Sequence, residues 1–225
     1  MENVQFIFCD PKKDLCKEWV ASINKHVPID LRKNFSILHG TLNDYKGKFD
    51  CIVSPAQSYC RLDGSFDLVI ATMFNPNDID SVTTVAQRHC YEKFNGQMPP
   101  GTASVVDMQS FNESRFGCKY LVLSPTMRMP SNVRWNRDVG YNCFFSILNA
   151  IKVYNAGGNR VKSVFVTGLG TGVGRIPAEV CAAQMAVAYK HFFFNLRKGF
   201  KTTSWAEATD FSLDIDETNR VLSNF

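Results

Sequence analysis

The chain has 225 residues, enough to bury the core of one full domain. Its 45% hydrophobic and 20% charged composition excludes a disordered or fibrous polypeptide. The net charge of +4 suits a phosphate-bearing ligand but not the dense basic surface of a nucleic-acid binder, and no apolar run reaches the roughly 20 residues that span a bilayer.

The first segment, Met1–Asp14, has neither a basic leader nor a small-residue cleavage site, so the expected location is the cytoplasm or nucleus. Val4–Cys9 reads as a strand and Lys12–Lys25 as a helix. Strands over Phe35–Leu38 and Phe49–Val53 follow, then helices over Asp67–Met73 and Asp78–Lys93. Strands over Thr102–Asp107 and Tyr120–Leu123 precede a helix over Val139–Tyr154. A strand over Val161–Val166 leads to a last helix, Pro177–Leu196, whose proline stands at a good first helical position. Runs such as Cys51-Ile52-Val53 are apolar without alternation, the pattern of a strand covered on both faces. This alternation predicts a three-layer α/β/α fold.

Two segments depart from the pattern. Ser124–Asn136 carries Pro125, Pro130 and two arginines and reads as a surface loop. From Lys201 the chain turns polar and acidic, so residues 1–200 read as the domain and 201–225 as an extension, either a short helix or an open tail. The eight cysteines form no C-x-x-C pair, and several lie in apolar runs as expected of buried, reduced thiols. The four histidines lie far apart in sequence, so neither a metal nor a cofactor is expected.

The strongest chemical signal is Gly168-Leu169-Gly170-Thr171-Gly172-Val173-Gly174, between a strand and a helix. Glycines at alternate positions let bare amides approach an anion, and the following helix N-terminus favours negative charge. The spacing fits neither the dinucleotide fingerprint nor the lysine-bearing Walker loop. A second rim follows the strand at Cys51–Val53: Ser54-Pro55-Ala56-Gln57, then Leu62-Asp63-Gly64-Ser65-Phe66-Asp67. Gln57 has an amide suited to sugar hydroxyls, and Asp67 is either a helix first-turn carboxylate or a general base. Both loops leave the carboxyl ends of strands, where open α/β sheets bind ligands. Arg175 and the group Arg128, Arg134 and Arg137 read as phosphate partners or as solvated charge. Ser124 and Cys60 have no visible base partner, which leaves nucleophilic catalysis unsupported.

These segments together resemble the macrodomains, a family that binds ADP-ribose. Ser54–Gln57 is similar to the family's N-x-A-N segment with Ala56 retained, and Leu62–Asp67 to its L-G-G-G-(V/F)-D loop. Gly168–Gly174 is similar to the diphosphate loop, and His39-Gly40-Thr41-Leu42 stands at the G-D-(I/L) turn. The resemblance spans Val4 to Leu196 and is nearest to a fungal-type branch of ADP-ribose-1″-phosphate phosphatases. It implies a mixed central sheet and no cofactor. It also implies a ligand site of Thr41, Ser54, Ala56, Gln57, Gly64, Ser65, Phe66, Gly168, Gly170, Thr171, Gly172, Val173 and Gly174. Asp67 would activate water and Gln57 would position the distal ribose.

The departures bear on function. Gln57 replaces an asparagine, Asp63-Gly64-Ser65 a glycine triplet, and Thr41 the acid that takes the adenine amino group. Asp63 is expected to repel a nearby phosphate. Leu123-Ser124-Pro125 lacks the branch's histidine, and no terminal strand is visible after the last helix. Three readings stay open: a hydrolase at the distal ribose, a reader of ADP-ribosylated proteins, and a degenerate fold used for partner interaction. Neither nucleic acid nor membrane is an expected partner.

Overall fold

The computed structural model describes residues 1–55, 57–111, 114–158 and 160–220. Six strands form a single sheet: β1 (Gln5–Asp10), β2 (Phe35–His39), β3 (Cys51–Ser54), β4 (Ser104–Asp107), β5 (Tyr120–Leu123) and β6 (Ser163–Val166). Their order is β2-β1-β6-β3-β5-β4, parallel throughout except for β4 against β5. The sheet is therefore mixed, with one antiparallel edge.

Side chains along each strand alternate between two cores. Phe6, Phe8, Val53, Val122, Val164 and Val166 face α1 (Lys13–His26), α4 (Val139–Ala156) and α5 (Ala178–Lys198). Ile7, Cys9, Ile52, Leu121, Leu123 and Phe165 face α2 (Ser65–Phe74) and α3 (Ile79–Phe94). Apolar runs without alternation are what two covered faces require, and the result is the three-layer α/β/α architecture. Aromatic rings fill the first core: Phe8 meets Trp19 at 5.0 Å between centroids, and Phe6 meets Tyr189 at 5.8 Å. All eight cysteines are buried and unbridged.

Three expectations are refined. The strand predicted from Phe49 starts at Cys51, because the Phe49 amide bonds the Phe116 carbonyl and its ring stacks on Phe116. The segment expected as a surface loop is a surface loop only in part. Ser124 and Thr126 are buried, Met127 bridges to Gln57, and the Val133 amide donates to the Gly174 carbonyl. The extension contains α6 (Trp205–Thr218), capped where Ser204 accepts from the Glu207 amide. Helix α6 lies on α5, with Phe211 stacked on His191 at 4.3 Å and Asp214 bonded to both Lys190 and His191. Asn219 then ties the end of α6 to Asp138 and Gln184. Among the described residues no helix is long and apolar enough to cross a membrane.

Candidate functional site

Strands β1, β2, β3, β5 and β6 run parallel, so their carboxyl ends share one edge of the sheet. There the loops enclose a cleft of about 770 Å³, walled by residues 9–12, 40–43, 126, 127, 129, 130, 167, 168 and 170–174, by Pro55 and by much of the segment 57–69. It opens where the strand order reverses around β6, the position where doubly wound sheets take ligands.

The glycine loop is fastened before any ligand arrives. Asp10, at the end of β1, accepts from the Thr167 hydroxyl at 2.8 Å and the Gly168 amide at 3.2 Å. Its other oxygen accepts from the Lys12 amide at 2.9 Å. Within the loop, Gly170 takes a left-handed φ of +70°, which glycine adopts without steric cost. Four loop carbonyls are taken. Gly170 O accepts from the Ile176 amide, Gly172 O from Arg175, Gly174 O from Val133, and Thr171 O from the Lys12 ammonium at 2.6 Å. The amides of Gly170 through Gly174, by contrast, donate to no acceptor among the described residues. Carbonyls held aside and amides left free make a concavity suited to an anion, with α5 starting four residues later.

The facing rim is the start of α2. Gly64 precedes the helix in extended conformation, and Ser65 sits at φ +50°, a strained setting for a non-glycine residue. Asp67, partly buried in the first turn, accepts from the Ser54 hydroxyl at 2.6 Å. Burial pushes the Asp67 carboxyl up to about 7, aided by Asp63 and opposed by the Ser54 hydrogen bond. A carboxyl that gains and loses its proton near neutrality is suited to general acid–base work. The Asp63 charge is compensated, because Arg61 pairs with it on the exposed rim and holds its carboxyl below the usual range.

Of the residues singled out by sequence, Gly64, Ser65, Phe66, Asp67, Gly168, Gly170, Thr171, Gly172, Val173 and Gly174 line the cleft. Ser54 is fully buried and sits behind Asp67. Gln57 lines the wall, but its amide is engaged by its own loop, accepting from the Tyr59 amide at 2.7 Å and donating to the Arg61 carbonyl at 3.2 Å. Thr41 donates its amide and hydroxyl to Asp44, so an acid stands three residues after the position where the resemblance lacks one. Ala56 lies outside the described residues. Arg134 bonds the Arg175 carbonyl beyond the glycine loop, while the Ser124 hydroxyl donates to Thr102 O and burial raises the Cys60 thiol. Among the described residues no three His, Cys, Asp or Glu side chains come together to hold a metal.

Sequence reasoning missed Asp10 and Lys12. Their signal is a charged pair flanking Pro11 directly after the first strand, which places both at the carboxyl edge.

A profile of the macro-like domain matches residues 31–199. Among solved structures, the chain is similar to an Oceanobacillus iheyensis macrodomain with ADP, at 14% identity and a TM-score of 0.48 over 79% of this chain and 86% of that one. A variant of the same macrodomain with ADPR is similar at 14% identity and a TM-score of 0.47, over 80% of this chain and 89% of that one.

Proposed function

The chain belongs to the macro-like domain family, and from that premise we propose that its cleft binds ADP-ribose or a close derivative. The observation that carries this reading is the glycine loop with tied carbonyls and free amides from Gly170 to Gly174. The diphosphate lies on those amides, and the distal ribose lies against Gly64, Ser65 and Asp67. The adenine then extends toward the turn at Gly40 and Thr41.

At the distal ribose the chemistry is hydrolytic. Asp67, ionised above about pH 7, takes a proton from the water that attacks the 1″ linkage, and a phosphate or a protein acceptor leaves. One observation favours a second reading, a reader without turnover: the Gln57 amide is already satisfied by its own loop. An ADP-ribosylated protein is then the partner.

Isothermal titration with ADP-ribose, using AMP as control, tests the binding. Micromolar affinity that AMP does not match supports it. Absence of heat overturns it and leaves a fold kept for partner interaction. Turnover assays on ADP-ribose-1″-phosphate and on ADP-ribosylated protein follow, and binding without turnover on either selects the reader.

A further inference from the structure

We infer that Lys12 is the cation of the phosphate site, so that the cleft selects ligands by phosphate charge. The inference rests on the reading that the glycine loop holds the diphosphate. Gly168–Gly174 contains no basic residue, and backbone amides offer only partial charge to a diphosphate that carries two full negative charges. A full positive charge arrives instead from the end of the neighbouring strand β1, 159 positions away in sequence, where Lys12 reaches Thr171 O.

The geometry fits a binding role. An ammonium has three donors, and one is used on Thr171 O, leaving two for a ligand. The Lys12 backbone is fixed by Asp10, so the side chain starts from an anchored point. Asp10 itself is occupied by Lys12, Thr167 and Gly168 amide or hydroxyl donors, and Lys12 makes no ion pair among the described residues. Among the described residues the cleft wall holds one other cation, Arg61, which is committed to Asp63. Lys12 is thus the cation of the cleft wall that makes no ion pair among the described residues, with the Asp10 carboxylate beside its backbone held by amide and hydroxyl donors. Its bond to Thr171 O also covers the one loop carbonyl that no backbone amide holds aside among those of Gly170, Thr171, Gly172 and Gly174.

Lys12→Met and Lys12→Arg test this, titrated with ADP-ribose and with inorganic pyrophosphate at about 50 and about 300 mM salt. Lys12→Met is expected to weaken both ligands about tenfold at the lower salt and to flatten the salt dependence, while Lys12→Arg keeps most of the affinity. Unchanged affinity in Lys12→Met overturns the inference. So does a loss of the same size at both salt concentrations, because a loop-ordering role alone leaves the salt slope intact. Lys12-dependent pyrophosphate binding without any preference for ADP-ribose upholds Lys12 and overturns the ADP-ribose reading. Wild-type protein that fails to bind pyrophosphate overturns the inference itself.

Discussion

Replacing Gly174 by alanine probes whether the glycine loop is as tightly built as its hydrogen bonds imply. A Cβ added there lies 2.5 Å from the Gly170 carbonyl oxygen and 2.9 Å from a Val133 methyl. The first contact is backbone and cannot turn away as a side chain would. That oxygen also accepts from the Ile176 amide, and the Gly174 carbonyl holds the Val133 amide, so relief of the clash strains both bonds. Overpacking of this kind costs about 1–3 kcal/mol. At about 2 kcal/mol, a chain of this size loses on the order of 4–8 °C of melting temperature. Gly172→Ala is the matched control, because nothing lies within 4 Å of its added Cβ. It is expected to stay within about 0.5 kcal/mol of wild type. Thermal unfolding of the two variants, with ADP-ribose titration of each, decides the matter. A Gly174→Ala protein that melts and binds like wild type refutes the reasoning, as does a Gly172→Ala protein destabilised to the same extent.

Asp67 holds its proton more tightly folded, near 7, than unfolded, near 3.8, so wild-type stability falls as pH rises between those values and levels off above them. Asp67→Asn removes that decline, worth on the order of a few kcal/mol, and denaturant melts at about pH 4 and about pH 7.5 that shift in parallel for both proteins would contradict it. His191 is held below its ordinary value by burial despite Asp214, with Tyr141, Lys190 and His26 also near it. The folded state therefore binds that proton less tightly than the unfolded chain, so this contribution to stability is full above 6.5 and declines as pH falls below it; denaturant melts of wild type and His191→Gln that shift in parallel between about pH 7.5 and about pH 5.5 argue against this. The eight buried cysteines, with Cys9 and Cys143 each pushed up to about 11, should resist a thiol-blocking reagent until the protein unfolds, and rapid labelling of any one in the native state would show that the core opens there.

The fold was legible because it is written in local signals. Apolar runs such as Cys51-Ile52-Val53 announce strands covered on two faces, and the glycines before Pro177 announce a strand-to-helix turn. The site was legible only where residue type alone decides the chemistry. Gln57 looked like a ligand residue because its amide can bind sugar, yet the nearest donors and acceptors are the backbone of its own turn. Ser54 and Asp67 are thirteen positions apart, and nothing in their spacing shows that a hydroxyl braces the carboxylate. Prolines and arginines marked 124–136 as surface, but Ser124 to Thr126 continue the course of β5 into the cleft wall, where neighbouring loops cover them. The Lys12 contact joins segments that only the finished sheet brings together.

The loop whose carbonyls are tied within the protein carries a kinetic consequence. Asp10, Lys12, Val133 and Ile176 hold it in place through bonds that need no ligand. Its conformational entropy is thus lost when the chain folds, and little remains to be lost when a ligand docks. No slow rearrangement then stands between encounter and complex, so the observed association rate rises in proportion to ligand concentration without reaching a plateau. Discrimination among phosphate ligands accordingly resides in charge-steered encounter and in how long each stays, and not in a closing step.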